Sequence, residues 1–186
     1  GKVCTPYLAP DAHQPKTQYA LDPLGRVTQV TNTDGSTTRA AYDQWITWSY
    51  DEENHQGSQE MDALGRMVEV REYEGDGTLG DPYTLYATTA YGYNIRDQLT
   101  DVWDEDGHHT HLDYNSLGQK TAMSDPDMGT WSYTYNHVGD MVTQTDARGQ
   151  VIAFTYDILQ RVTYKDLPGG TASDVTYQYD NVLGDG

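Results

Sequence analysis

The stretch GTWSYTYNHVGDMVTQTDARG, residues 129–149, carries the pattern from which the fold follows. Trp131, Tyr133 and Tyr135 occupy alternate positions, which is the period of a β-strand with one apolar face. Asn136 follows directly and Gly139 comes three residues later, an arrangement typical of a type I turn whose first side chain caps the turn. The stretch therefore predicts a strand, a turn and a second strand.

The same pattern recurs along the chain at a nearly fixed spacing. Tyr-Asp or Tyr-Asn pairs begin, in steps of 21 residues and a last step of 23, at Tyr93, Tyr114, Tyr135, Tyr156 and Tyr179. In the first half the corresponding pairs are less evenly spaced and begin at Leu21, Tyr42 and Met61. Such self-similarity predicts tandem structural repeats, in which the repeat tyrosines face inward and join neighbouring hairpins.

Glycines mark both ends of each predicted hairpin. Three residues after the Asp or Asn of the pair stand Gly25, Gly65, Gly118 and Gly139. About fourteen residues after the pair begins, a second set predicts the hairpin tips at Gly35, Gly75, Gly107, Gly149 and Gly170. An isolated hairpin is marginal in water, so the units must pair with one another in an extended, meandering antiparallel sheet. Two less regular segments, residues 44–60 and 72–90, are predicted to form longer loops.

The composition favours a folded β protein and argues against several partners. The chain has 16 Tyr and 4 Trp, residues that suit a pleated sheet and whose large rings supply burial. Its net charge of −18 repels nucleic acid and anionic lipid, so we expect neither nucleic-acid binding nor membrane insertion, whereas a cationic partner stays open. Cys4 is the single cysteine, so no internal disulfide can form.

The repeat resembles the RHS/YD repeat. The pattern Tyr-Asp-x-x-Gly-Arg, the 21-residue step and the stretch from Asp125 to Tyr135 carry this resemblance over residues 19–184. Proteins of this kind include bacterial Rhs polymorphic toxins, cocoon-forming components of insecticidal toxin complexes, wall-associated proteins and teneurins. The resemblance implies an all-β, spiralling sheet that forms the wall of a hollow shell, often around a C-terminal toxic domain. It also implies a secreted or cell-surface location.

These observations predict an organisation and a function. We expect an N-terminal lead-in over residues 1–18 and a repeat array over 19–186, irregular over 19–92 and regular over 93–186. The predicted role is a non-catalytic structural fragment of a shell, partnered by the rest of that shell and by a toxin or effector domain encoded elsewhere. A surface module that recognises carbohydrate or a cationic partner is the alternative, and an enzyme or toxin is a third. No catalytic motif interrupts the repeat, so we expect neither catalysis nor a cofactor. Unpaired strand edges predict self-association.

Two kinds of candidate metal ligand occur outside the repeat pattern. His109 and His111 could share one strand face at a spacing that ligates zinc or nickel, but a third ligand is not evident in the sequence. Because Thr110 and Leu112 belong to the inward face, both histidines are expected to point to solvent. Two acidic stretches, residues 72–77 and 104–107, resemble calcium loops but do not complete the template. The sequence therefore predicts no metal site.

Three tryptophans at irregular positions are candidates for contact with a glycan. Flat rings beside acids and amides can stack on sugars, and these rings are Trp45, Trp48 and Trp103. Packing against neighbouring strands is the alternative use of the same rings. The sequence leaves both open.

Overall fold

The computed structural model describes residues 16–170 and 174–179. In this part of the chain there are fifteen β-strands and no helix, so the expected all-β fold is confirmed. The strands are β1 (Gln18–Leu21), β2 (Val27–Thr31), β3 (Thr37–Asp43), β4 (Ile46–Tyr50), β5 (Gln56–Met61), β6 (Met67–Glu74), β7 (Thr84–Tyr93), β8 (Leu99–Trp103), β9 (His109–Tyr114), β10 (Lys120–Asp125), β11 (Gly129–Tyr135), β12 (Met141–Thr145), β13 (Val151–Tyr156), β14 (Val162–Asp166) and β15 (Val175–Thr176). The described residues contain no helix with the length and apolar character needed to cross a membrane.

The strands pair in chain order. The chain divides into two compact units, the first ending at Thr89 and the second beginning at Ala90. In the first unit, β1 to β6 each run antiparallel to the next strand along the chain. In the second, the end of β7 pairs with β8, and the same pattern continues to β15. Each unit is therefore an antiparallel meander, as predicted. Of the predicted lead-in, residues 1–15 and with them Cys4 lie outside the described residues.

The prediction of long loops was wrong for residues 44–60. This segment contains β4 and β5, separated by residues 51–55 alone. The large residues Ile46, Trp48 and Tyr50 alternate there with smaller ones, which is strand periodicity. Residues 72–90 are a loop only between Glu74 and Thr84, where the Tyr83 hydroxyl donates to the carbonyl of Asn54 at 2.8 Å and anchors the loop on a hairpin turn.

One backbone geometry closes the turns at both ends of the hairpins. After β1, the Gly25 amide donates to the Asp22 carbonyl and the Asp22 amide donates to the Arg26 carbonyl, both at 2.9 Å. Gly25 has φ 80, so a type I turn is followed by a left-handed residue that begins a bulge. At the predicted tip near Gly35 the same pair of bonds forms, with the turn starting at Asn32. Where the glycine is missing, as at Gln160, an ordinary residue is held at φ 60.

The strands bury their rings only in part. On β11, Trp131, Tyr133 and Tyr135 are half-buried and alternate with exposed neighbours. None of the described hydrophobic side chains is fully buried, so the burial that the large rings supply is partial. A sheet whose faces are not covered by a second layer shields its side chains mainly through cross-strand neighbours. Stability must therefore come from contacts between adjacent strands.

Ser58 is the exception to this partial burial. It is 2% exposed, and its cross-strand partners are Trp48 on β4 and Arg71 on β6. The ring of Trp48 also lies 5.7 Å from that of Tyr73, so large side chains from both neighbouring strands crowd this part of β5. A small residue is required there, and the Ser58 hydroxyl has no hydrogen-bond partner among the described residues.

The strained turn at Gln160 gives a stability test. Replacing Gln160 with Gly should stabilise the chain by about 1 kcal/mol, because a left-handed backbone is costly for a residue with a Cβ atom. Gly25→Ala should have the opposite effect by a similar amount, and since nothing lies within 4 Å of the added Cβ, the loss would reflect backbone conformation alone. Urea unfolding followed by circular dichroism measures both. A destabilised Gln160→Gly variant would contradict this account.

Candidate functional site

The repeat tyrosines form a set of identical contacts between neighbouring strands. In the pairs given next, the tyrosine donates its hydroxyl hydrogen to a backbone carbonyl near the start of an adjacent strand. The pairs are Tyr42 to Val27 at 2.9 Å, Tyr114 to Leu99 at 2.8 Å, Tyr135 to Lys120 at 2.8 Å, Tyr156 to Met141 at 2.7 Å and Tyr179 to Val162 at 2.8 Å. We call each of these hydroxyl–carbonyl hydrogen bonds a tyrosine link. The tyrosines thus join adjacent strands through a directed hydrogen bond in addition to the apolar contacts of their rings.

The acceptor carbonyls lie where the strand ladder is interrupted. Tyr135 pairs with Met141 while Thr134 pairs with Thr143, so one residue of β12 is skipped and the register shifts. Such a bulge removes a residue from the ladder and leaves backbone groups in need of another partner. The Met141 carbonyl lies at this bulge, outside the ladder that joins β12 to β13 from Thr143 onwards, and it accepts from the Tyr156 hydroxyl. The bulge and the tyrosine link therefore occur together at the same residue.

The links follow one another through the second unit. Each acceptor residue is the cross-strand partner of the preceding repeat tyrosine. These partners are Tyr93 with Leu99, Tyr114 with Lys120, Tyr135 with Met141 and Tyr156 with Val162. Tyr93, which was predicted as a repeat residue, is the first of these cross-strand partners along the chain. Each link therefore joins the two strands of one hairpin, and the pairing of a repeat tyrosine with the next acceptor residue joins that hairpin to its neighbour.

An Asp or Asn at the head of each turn supports the bulge. The Asp22 carboxylate accepts the backbone amides of Leu24 and Arg26, both at 2.9 Å, and the Arg26 guanidinium at 2.6 Å. The Arg26 guanidinium also lies 4.2 Å from the centre of the Tyr42 ring. Arg26 therefore joins the acid of its own turn to the ring of the next repeat tyrosine, which explains the Arg of the sequence pattern. Arg161 stands in the same way between Asp157 and Tyr179.

Where the Arg is replaced by Gln, the side chain contacts the next turn directly. Gln98 donates to the Gly118 carbonyl at 3.1 Å and Gln119 donates to the Gly139 carbonyl at 3.3 Å. A Cβ atom on Gly118 would come within 3.1 Å of the Gln98 amide nitrogen. Of the other predicted repeat glycines, Gly25 and Gly65 occupy the fourth position of their turns, with open space where a Cβ atom would be.

The three tryptophans proposed for glycan contact have different surroundings. Trp45 is 55% exposed and lines a shallow depression with Asp43 and Glu60. Trp48 packs against Tyr73, and Trp103 stacks on His109 with the ring planes 5° apart. Each ring is thus in a separate environment, and only Trp45 offers a largely open face.

A larger groove lies beside a tryptophan that the repeat pattern treated as a regular strand residue. Trp131 lines this groove, of about 480 Å³, together with Gln144, Arg148, Ile152 and Leu167. The groove is formed by side chains from several strands of the second unit. No sequence pattern singled it out, because its members recur at ordinary repeat positions.

A histidine–aspartate cluster departs from the sequence-based expectation. His109 Nε2 and His111 Nδ1 each lie 2.7 Å from the same oxygen, Oδ1 of Asp101. The third potential ligand, which was not evident in the sequence, is therefore Asp101. Both imidazoles direct a ring nitrogen towards its carboxylate. It could have been found by counting outward from the tip turn at Asp104, which places Trp103 opposite His109 and Asp101 opposite His111.

The electrostatics of this cluster are strongly perturbed. Desolvation acts to raise the pKa of Asp101, but hydrogen bonds from His111, Thr100 and His109 outweigh it and bring the pKa to about 2. The hydrogen bond with Asp101 raises the pKa of His111 above its usual value. The side chain of Asp101 is 21% exposed, and those of His109 and His111 are 42% and 43% exposed. The cluster is therefore a compact set of donors and acceptors that solvent ions can reach.

Part of the repeat array matches a known family model, and most of the chain is similar to a known protein. Residues 135–172, which contain two repeat tyrosines and the bulge at Met141, match the family model described as RHS Repeat. Within these residues the chain is similar to the RHS repeat. It is 27% identical over 175 residues to the probable deoxyribonuclease RhsB of Dickeya dadantii (strain 3937), a match that covers 92% of this chain and 11% of that protein.

Solved structures share the fold of this repeat array. The structure titled TcdB2-TccC3-Cdc42 matches 86% of this chain and 9% of its own, with a TM-score of 0.66 and 15% identity. The Tc holotoxin pore of Photorhabdus luminescens matches 83% of this chain and 9% of its own, with a TM-score of 0.67 and 15% identity. At such identities the likeness shows the fold alone. The chain spans only a small part of each of these proteins.

Removing a tyrosine hydroxyl tests the link. Tyr156→Phe should destabilise the repeat array by about 1 kcal/mol, because the half-buried carbonyl of Met141 loses its donor while the ring remains. Burial raises the pKa of Tyr156, which keeps the hydroxyl protonated as a donor. The control is Tyr86→Phe, since Tyr86 is 61% exposed. Equal midpoints of urea unfolding for the two variants would show that the links contribute nothing.

The turn acids and histidines predict a stability maximum at mildly acidic pH. The amide of Arg26 and its guanidinium lower the pKa of Asp22 below 3.8, so this contribution is present above 3.8 and is lost as pH falls further. The Asp51 and Asp104 carboxylates raise the pKa of His55 and His108 above 6.5, so those contributions are present below 6.5 and are lost as pH rises through the folded pKa.

The melting temperature should therefore be highest at pH values between 3.8 and 6.5. The double variant His55→Gln/His108→Gln should lessen the decline on the alkaline side, where the contribution of His111 remains. Because hydrogen bonds from the same histidines lower the pKa of Asp51 and Asp104, the decline on the acidic side should also become less steep. The measurement is circular dichroism of dilute protein at constant ionic strength, because exposed pairs are screened by salt. A melting temperature that keeps rising above neutral pH would contradict the prediction.

Proposed function

We propose that this chain is a structural, non-catalytic strip of an RHS-repeat shell. The observation that carries the proposal is the series of tyrosine links, in which a repeat tyrosine bonds to a carbonyl of the strand before it by one repeated geometry. A contact that recurs at every unit extends a wall, whereas a catalytic site requires one position that differs from the others.

The burial pattern supports the role of a wall. The strand residues are mostly half-buried, and the described residues lack a closed hydrophobic core. A layer of this kind gains cover from what lies against it, so its natural partners are further RHS repeats and the contents of the shell. We extend this to a toxin or effector domain that the shell encapsulates or presents, and to a secreted or cell-surface location.

The names of similar proteins support the same extension. One relative is named a probable deoxyribonuclease, and one similar structure is a Tc holotoxin pore. Since the chain corresponds to 11% of that relative, we assign any nuclease activity to a part of the protein other than this strip. Within the strip, we propose that residues 19–186 are the array, with the regular repeats over 93–186.

Limited proteolysis of the full-length protein that contains this chain tests the enclosure. Tyr135→Ala and Tyr156→Ala together remove two adjacent tyrosine links and their rings, so they should open the wall. Segments outside the RHS repeats should then be cleaved about tenfold faster than in the wild type, because cleavage follows the population of open states. Tyr86→Ala, at an exposed ring, is the matched control.

Two results would overturn the proposal. If the double variant loosens the repeats themselves while cleavage elsewhere is unchanged, the repeats enclose nothing. If the purified chain hydrolyses nucleic acid, the strip is not a passive wall. Carbohydrate recognition through the exposed ring of Trp45 and self-association through strand edges stay predictions.

A further inference from the structure

The Asp101, His109 and His111 side chains form one face of the β8–β9 hairpin. Asp101 is directly opposite His111, and Trp103 is directly opposite His109. Alternation along a strand places these four side chains on the face opposite that of Leu112 and Tyr114. The cluster is therefore separate from the tyrosine links, which use the other face.

The three side chains already meet at one point. One ligand atom from each lies within 4.8 Å of the other two. A tetrahedral zinc ion with bonds of about 2.0–2.1 Å needs its ligand atoms about 3.3 Å apart. The nitrogen–oxygen distances are 2.7 Å, so the ion would enter after side-chain shifts of about half an ångström. Because both imidazoles are more than two-fifths exposed, such shifts are small rotations and leave the strands in place.

Neighbouring residues orient each ligand. The other ring nitrogen of His111, Nε2, lies 3.4 Å from the Asp113 carboxylate. Metal-binding histidines commonly direct their second nitrogen to such a carboxylate, which leaves the first nitrogen for the metal. The His109 ring is stacked on Trp103 with centroids 4.9 Å apart, so its plane is also fixed.

A glycine makes room for the carboxylate. Gly92 on β7 is the cross-strand partner of Asp101. A Cβ atom at Gly92 would lie 3.1 Å from Asp101 Cβ, 3.2 Å from Asp101 Oδ2 and 3.2 Å from the Trp103 ring. The φ angle of Gly92 is not positive, so its backbone conformation does not require glycine. Its role is to leave room for the Asp101 side chain. The position of Asp101 thus depends on the absence of a side chain on the neighbouring strand.

We propose that Asp101, His109 and His111 bind one late first-row divalent cation, of which zinc is the probe, and that the ion ties β8 to β9. Two imidazoles and one carboxylate are a ligand set that such ions accept, with the remaining position open to water. The net charge of −18 raises the local concentration of cations at the surface. The proposal does not depend on the shell role.

Isothermal titration with Zn²⁺ tests the site. The experiment uses the Cys4→Ser/His13→Gln background, because a thiol or imidazole outside the described residues could compete for the ion. We expect one Zn²⁺ per chain and a melting temperature that rises with the Zn²⁺ concentration. His109→Gln, His111→Gln and Asp101→Asn should each weaken binding at least tenfold and abolish the thermal shift. Gly92→Ala should weaken binding by about tenfold through displacement of Asp101.

His108→Gln is the matched control. His108 is adjacent in sequence, is also exposed and pairs with Asp104 at 2.8 Å, yet it is not part of the cluster. Its variant should bind Zn²⁺ like the background protein. Co²⁺ should give the intense visible absorption of a low-coordinate site, which the His109→Gln variant should lose. The proposal fails if the background protein binds no ion, or if His108→Gln reduces affinity as much as His109→Gln does. Circular dichroism without metal confirms that each variant remains folded.

Discussion

A backbone carbonyl that leaves the strand ladder at a bulge needs a new partner, and in this chain the hydroxyl of a repeat tyrosine supplies it. Met141 shows the arrangement: Tyr135 is its cross-strand partner on one side, and the Tyr156 hydroxyl binds its carbonyl from the other. The interaction couples each strand only to the one beside it. Stability in such an array is a sum over nearest neighbours, so no single region acts as the centre of the fold.

The acidity of the chain follows in large part from its turns. Asp22, Asp62 and Asp157 each accept two backbone amides and an arginine, and the pKa of each is lowered by these bonds. Asn115 and Asn136 accept the corresponding amides without a charge. The negative charge is therefore explained by local backbone chemistry in many positions, and it is a weak guide to the nature of a partner.

The strand period and the turns could be predicted from the sequence because both depend on neighbours within a few residues. Alternating rings before Tyr135 and the Asn136 to Gly139 spacing are local signals of this kind. The tyrosine links could not be predicted, since a carbonyl becomes free only through a bulge that involves another strand. The segment 44–60 was misjudged because its Gly and Asp content outweighed the alternation within β4.

The candidate metal site is a second example of contacts between strands that could not be predicted from the sequence. Asp101 and His111 are ten residues apart, and only the register fixed by the intervening turn brings them together. Gly92 belongs to yet another strand, and its role is evident only from the space that a side chain would fill. A sequence displays ligand types, but the register decides which of them meet.

No described hydrophobic side chain is fully buried, and this also affects how stability varies with temperature. The heat-capacity increment of unfolding arises mainly from apolar surface newly exposed to water. Rings that are already partly hydrated in the folded state add less to this increment than the contents of a closed core. The free-energy curve of the isolated strip is accordingly broad and shallow, with its cold-denaturation limit displaced to lower temperature.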